Sequence, residues 1–348
     1  MGNGPKPLSA RETSPGKVTI RTVAGDAGVS VAAVSKVLRN AYGVSDGLRQ
    51  RVQASIERLG YRPSTAARGM RGRTYTVGVL VVELRNAFLP DVIDSVNATL
   101  DEAGYKALIG VGQSRAALES ALVESMIAHG MDGLVLVAPR LPPDVIRRFA
   151  RTVPIAVIGH HLPDETAFDT VNADDIRGGE LAVAELLAHG HREIAMLSLS
   201  ERAEGEVSTQ REIGFRRALA AAGLPEGRVA RLPRGGVRCE AELAAWLDAP
   251  ERPSGVFCWS DLSAVELLGV AAGRGLGIPR DLSVMGFDNS RIAALPQVAL
   301  TSIDQAGARL GSLASEVLLE RLGGRAEPRH LLVEPAVVRR GSVGALPR

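Results

Sequence analysis

The chain has 348 residues, 45% hydrophobic and 23% charged, which excludes a disordered polypeptide and sets the expectation of two or three domains. Its longest apolar runs, such as Val77–Val82, fall far short of the ~18 residues a membrane span needs, and residues 1–17 hold no apolar secretory core, so a soluble cytoplasmic protein is expected. The net charge of +2 hides an asymmetry: residues 1–73 carry 13 Lys+Arg against 4 Asp+Glu, leaving 28 against 35 for the rest, so a basic head meant for a polyanion is joined to an acidic body.

Residues 1–17 are rich in Gly, Pro and Ser and read as a disordered tail. Thr19 is a good N-cap for a first helix in which Ile20, Val23, Ala24 and Ala27 recur at helical spacing, and Gly28 can leave that helix with positive φ. Ser30 caps a second helix over Val31–Leu38. Two short helices across so tight a turn predict a helix-turn-helix. On the second helix Val34, Val37 and Leu38 share the core face, while Ala32 and Lys36 lie opposite, flanked by Ala33 and Ser35. Small side chains let a helix approach base edges, and Lys36 either donates to guanine or phosphate or is a solvated lysine. Val44 and Ser45 then staple and cap a third helix with Leu48, Val52, Ile56 and Leu59 along its apolar stripe.

From Thr76 onward, apolar runs alternate with helical patterns. Strands are expected at Thr76–Val82, Lys106–Val111, Gly133–Val137, Ile155–Ile158, Ile194–Leu199, Gly255–Cys258 and Leu282–Phe287. Helices are expected at Val92–Ala103, Leu118–His129, Gly178–His189, Gly214–Ala222, Ala241–Leu247, Ser263–Arg274 and Leu310–Leu322. This βαβ alternation predicts parallel sheets covered on both faces, divided into two lobes by a break near 160–175. Ligands bind such sheets at the carboxyl ends of their strands, here Glu83–Leu89, Gly159–His161, Trp259–Asp261 and Asp288–Arg291.

Catalytic and metal constellations are weak. Gly110-Val111-Gly112-Gln113-Ser114-Arg115 starts as a dinucleotide fingerprint, but Arg115 replaces its third Gly. His160-His161 lack nearby Cys, His189-Gly190-His191 reads as a helix C-terminal turn, and Cys239 and Cys258 read as reduced thiols. No catalytic residue, metal or cofactor is expected.

Val18-Thr-Ile, Val23-Ala24, Ala27-Gly28-Val29-Ser30, Val34-Ser35-Lys36-Val37-Leu38-Arg39-Asn40, Val44-Ser45 and Leu59-Gly60-Tyr61-Arg62-Pro63 together resemble the headpiece of LacI/GalR-type bacterial regulators. Gly104-Tyr105, Asp132-Gly133, His189 to Ala195, Arg211 to Phe215, Val284 to Asn289 and Leu300 to Gln305 extend the resemblance over roughly 18–340. It implies a helix-turn-helix headpiece at 18–63, a hinge helix or linker at 64–73, and an effector-binding and dimerisation domain at 74–348. That domain resembles periplasmic binding proteins, with three crossovers, an N-lobe of about 74–170 plus 291–320 and a C-lobe of about 171–290 plus 321–340. The resemblance implies base readout by Val31, Ala32 and Lys36, with Thr19, Ser30, Ala33, Ser35, Asn40 and Tyr61 around them, and an apolar wedge of Met70 beside Ala67 in the minor groove. Lys36 stands where Arg is usual and lacks its bidentate fork.

For the effector, the resemblance implies contacts from Phe88, Leu89, His160, Arg211, Trp259, Asp261 and Asp288. Arg211 either forks to a ligand or caps a strand end, and Trp259 either stacks on a ligand or fills the core. Gly159 replaces an Asp that binds sugar hydroxyls in many members; with Arg85, His160 and Arg211 this suits an acidic or large ligand. The expected function is a repressor that binds a palindromic double-stranded operator as a homodimer under allosteric control by a sugar-like effector. A transporter's solute-binding protein and a Rossmann-type enzyme are the alternatives.

Overall fold

A computed structural model describes residues 18–38, 41–61, 72–200, 206–233, 240–250 and 252–345, which divide into two compact units at Thr74/Tyr75. Asn40, Ala67, Met70 and residues 64–71 of the hinge or linker expected at 64–73 lie outside the described residues.

The first unit holds α1 (Ile20–Ala27), α2 (Val31–Leu38) and α3 (Asp46–Leu59). Thr19 and Thr22 form a reciprocal capping box at the start of α1, and Gly28 ends it at φ 65°. Ser30 Oγ accepts from Ala33 N at 3.1 Å, satisfying one otherwise orphaned amide at the start of α2. Val23, Ala24, Val34, Val37 and Val52 are buried together, with Leu38, Leu48, Ile56 and Leu59 packed around them. The sequence did not announce Ser55: fully buried on α3, it donates to Asp26 Oδ2 at 2.5 Å and ties α3 to α1.

The second unit is built on two six-stranded sheets. The first contains β1 (Thr76–Val81), β2 (Lys106–Val111), β3 (Gly133–Val137), β4 (Ile155–Ile158), β5 (Asp169–Ala173) and β11 (His330–Val333), in the order β11-β5-β4-β3-β1-β2 and parallel throughout. The second contains β6 (Ile194–Leu199), β7 (Arg228–Leu232), β8 (Gly255–Cys258), β9 (Ser283–Phe287), β10 (Thr301–Asp304) and β12 (Ala336–Val338), in the order β12-β10-β9-β8-β6-β7. Only β12 runs antiparallel to its neighbour. Alternate residues feed opposite layers: Val79, Val135 and Ala156 face one core while Leu80, Leu134, Leu136 and Val157 face the other. Phe257 and Phe287 are likewise separated from Val256, Cys258 and Val284 in the second sheet.

Helices α4 (Leu89–Glu102), α5 (Ala116–Ala128), α6 (Pro143–Ala150) and α11 (Gly307–Leu322) cover the first sheet. The second is covered by α7 (Asp175–Ala188), α8 (Val207–Ala221), α9 (Glu240–Leu247) and α10 (Asp261–Gly273). The chain passes between sheets at 173–175, 304–307 and 333–336. These crossings correct the expected lobe segments. Residues 291–304 belong to the second lobe, because β10 pairs with β9, and 323–333 belong to the first, because β11 pairs with β5. Fully buried Asp169 fixes the latter return, accepting from Arg321 Nε at 2.8 Å, Arg325 Nη2 at 2.9 Å and Arg329 N at 2.7 Å.

Helices α7 and α8 touch at backbone distance. A Cβ on Gly214 would lie 2.0 Å from Ile176 O, and one on Gly179 would lie 2.3 Å from Arg211 O. Nothing flexible can yield at either position, so Gly214→Ala is expected to destabilise this lobe by about 1–3 kcal/mol, read as a lower urea midpoint.

Candidate DNA interface and effector cleft

On α2 the core-facing Val34 and Val37 are buried, whereas Ala32 and Lys36 are exposed and Val31, Ala33 and Ser35 half-buried. Val34 N bonds to Ser30 O at 3.1 Å, so the cap fixes the rotation of the helix and with it the outward face. That face is narrow, bears one cation and carries no bulky side chain, which fits a helix entering a major groove. Thr19 and Ser30 are exposed at the starts of the two helices, Tyr61 is half-buried after α3, and Tyr42 in the intervening turn is fully exposed. Tyr42 carried no periodic signal.

In the second unit the carboxyl ends of the strands gather the other expected residues. Arg211 stands on the first turns of α8 and is 2% exposed. Its Nε donates to Asp175 Oδ1 at 2.7 Å, Nη1 to the Trp259 carbonyl at 2.5 Å and Nη2 towards Gln305 Oε1 at 3.5 Å. The guanidinium also lies 3.5 Å from the centroid of the Phe287 ring. Arg211 therefore caps the end of β8 and faces the carboxyl groups of Asp175 and Asp288. Trp259 is half-buried, packing on the second core while its carbonyl serves Arg211.

Asp288 follows β9 at φ 125°, accepts from Gln305 Nε2 at 2.6 Å and lies 3.9 Å from Arg211 Nη1. Burial pushes its carboxyl up to about 8, with Arg211 opposing the rise and Asp261 adding to it. Burial also pushes Asp175 up, but Arg211 and His161 outweigh it and hold that carboxyl below its usual range. His161 Nε2 lies 2.7 Å from Asp175 Oδ2, completing a His161–Asp175–Arg211 chain.

Two expected contacts are spent on structure. Leu89, the first residue of α4, is buried in the core of the first lobe. Asp261 accepts from Ser290 N at 2.7 Å and Ser302 Oγ at 2.6 Å, which pins the β9 and β10 ends to α10. Burial raises the Asp261 carboxyl above its usual range despite those bonds. Phe88 packs its ring edge over Gly307 at the start of α11, at the crossing between the lobes. Arg85 is exposed beside Glu83.

His160 is 6% exposed, and its Nε2 donates to the Pro139 carbonyl at 2.9 Å. Nδ1 is left as a buried acceptor without a partner. Burial lowers the pKa of this ring, so the neutral form is favoured. Contacts also cross directly between the lobes at their facing edges. Arg140 Nη1 pairs with Glu206 Oε1 at 2.9 Å, the His160 backbone bridges to Glu206, Asn86 Nδ2 reaches Asp288 Oδ2 at 3.4 Å, and Arg291 pairs with Asp91 at 2.7 Å.

The loop that starts as a dinucleotide fingerprint is no phosphate cradle. The amides of Gly112 and Ser114 bond to Val81 O and Val82 O, and a Cβ on Gly112 would lie 2.3 Å from Glu119 Cγ. Glu119 is buried with its carboxyl raised by burial, and its Oε2 accepts from Arg140 N at 2.6 Å.

The family model described as "Bacterial regulatory proteins, lacI family" matches residues 19–64, and that of a periplasmic binding protein-like domain matches 183–343. The HTH-type transcriptional repressor PurR of Erwinia tasmaniensis is 31% identical over 93% of this chain and 96% of its own length. The chain belongs to the LacI family. CytR, an HTH-type transcriptional repressor of Escherichia coli, is also 31% identical, over 94% of this chain and 97% of its own. Among solved structures, the transcriptional regulator CelR in complex with cellobiose aligns with a TM-score of 0.68 at 27% identity, covering 93% of this chain and 99% of that one. This LacI-family chain is a DNA-binding transcriptional regulator with a helix-turn-helix domain and a two-lobed effector-binding domain.

Proposed function

We propose that the protein represses transcription from the cytoplasm by holding a palindromic operator as a homodimer, and that a small effector, a sugar or sugar derivative, binds between its lobes and sets operator affinity. Val31, Ala32, Lys36 and their neighbours Thr19, Ser30, Ala33, Ser35 and Tyr61 contact DNA in this reading, with Asn40, Ala67 and Met70 completing the interface. Phe88, His160, Arg211, Trp259 and Asp288 form the effector site. The observation that carries the reading is the exposed Ala32/Lys36 face of α2, set by a capped turn, in a chain whose other unit has polar strand ends from two lobes facing each other. CelR, whose solved complex holds cellobiose, supports the ligand class.

Linkage supplies the mechanism. An effector that prefers one lobe arrangement shifts operator affinity by the same factor by which DNA shifts effector affinity. The test is fluorescence anisotropy on a palindrome obtained by repeated selection. Binding is expected to fall steeply with salt, and Lys36→Ala to weaken it while reducing the log–log salt slope by about 1. An unchanged affinity and slope would take Lys36 out of the interface.

A further inference from the structure

We infer that Asp175 determines the charge of the effector: by occupying Arg211 from within the chain, it closes the cleft to anions and leaves it fitted to an uncharged, hydrogen-donating ligand. This rests on reading the cleft as the effector site. Arg211 is the cation an anionic ligand would seek, yet its Nε is engaged by Asp175, its Nη1 by the Trp259 carbonyl, and its face by Phe287. An incoming anion must displace Asp175, which is 1% exposed and would be left buried without its counter-ion.

Asp288 does not shift this balance: its buried carboxyl lies 3.9 Å from the same guanidinium but holds its proton through neutral pH, so Asp175 is the counter-ion an incoming anion would have to displace. A further negative charge in this low-dielectric space meets the repulsion of Asp175. Arg140 is already paired with Glu206, and Arg85 is exposed to solvent beside Glu83. The open hydrogen-bonding capacity beside His160 includes a buried acceptor. His160 has given its Nε2 proton to Pro139, which leaves the buried Nδ1 lone pair unmatched, and the Asp288 bond to Asn86 is long at 3.4 Å. Ligand hydroxyl or N–H groups satisfy such acceptors, whereas carboxylates and phosphates do not. The acidic ligand suggested by Arg85, His160 and Arg211 in the sequence is thereby disfavoured.

Sulfate and gluconate, with chloride at matched ionic strength as control, are the probes. Tryptophan fluorescence and thermal shift of the full chain are the readouts. Wild type and Asp175→Glu are expected to give no saturable response. Asp175→Asn keeps an oxygen for Arg211 Nε but removes the charge, and is expected to bind sulfate at least about tenfold more tightly than wild type. A merely structural Asp175 would give loss of stability without this gain. Saturable binding of either anion by wild type overturns the proposal, as does a folded Asp175→Asn that gains none. If Asp175→Asn does not fold, the wild-type and Asp175→Glu titrations decide alone: silence supports the proposal and saturation overturns it. Failure of the effector reading itself would look different, as a panel of neutral sugars that leaves operator binding unchanged whatever Asp175→Asn does with sulfate.

Discussion

Arg211→Met is expected to destabilise the second lobe by about 3–5 kcal/mol, the range for removing one partner of a buried ion pair. Methionine restores the volume of the stem but leaves Asp175 with His161 and without its cation, and takes the cation from Asp288 while its hydrogen bonds to Gln305 and the distant Asn86 remain. It also opens the Trp259 carbonyl and removes the cation above Phe287. Both tryptophans, Trp246 and Trp259, fall in this lobe, so fluorescence-detected urea unfolding follows it separately from the headpiece. Adding Asp175→Asn to Arg211→Met is expected to cost less than the sum of the single changes, because the second substitution removes the charge that the first left stranded. A loss below about 1 kcal/mol in Arg211→Met would mean that water reaches and screens the cluster as it does a surface pair.

The sequence revealed whatever repeats with a period. The limits of α2 were legible because Ser30 caps it and its apolar face is regular, and all seven of the expected strands begin and end within a residue of the observed ones. Helix starts were placed late. Gly214–Ala222 was expected where α8 begins at Val207, and Gly178–His189 where α7 begins at Asp175, because the polar first turns that satisfy helix N-termini carry no apolar rhythm. Those missed turns hold Asp175 and Arg211. Strands β5, β7, β10, β11 and β12 were also missed. They are short, and β5 and β10 carry Asp, Thr, Ser and Asn that become buried only because the sheet and its neighbours supply partners.

Site chemistry was legible by residue type and less so by role. Asp288 stood out as a charge at a strand end and Arg211 through the family resemblance, and the two do face each other. Asp261 looked equivalent, yet its carboxylate is consumed by Ser290 and Ser302. Asp175 and Glu206 gave no signal, and Asn86 and Gln305 were marked only as parts of the Glu83–Leu89 strand end and the Leu300–Gln305 match, since an acid in a first helical turn reads as dipole compensation and an amide in a loop reads as a turn. What distinguishes them is proximity across lobes, between residues as far apart in sequence as Asn86 and Asp288.

Asp288 makes the protein less stable as pH rises from weakly acidic to neutral. The unfolded chain gives up this proton near 3.8, while burial holds the folded carboxyl at about 8. Between those values the folded state binds more protons than the unfolded one. The stabilisation from that proton is complete below the unfolded value and is lost progressively as pH climbs to the folded one. Asp175 works in the opposite sense but below its usual carboxylate range, so it does not mask the effect between pH 5 and pH 8. Asp288→Asn is expected to stabilise the lobe on the order of a few kcal/mol at pH 8 and to change it little near pH 4, flattening the decline. Asparagine keeps an oxygen for Gln305 Nε2, tolerates the positive φ, and loses the long contact to Asn86. Urea midpoints of wild type and variant at unit steps from pH 4 to pH 9, read by tryptophan fluorescence, provide the check. Parallel curves would show that Asp288 is ionised in the folded state throughout. Arg211 would then be neutralising both of its carboxylates, and the excess negative charge would have to be carried by the solvent around the cleft.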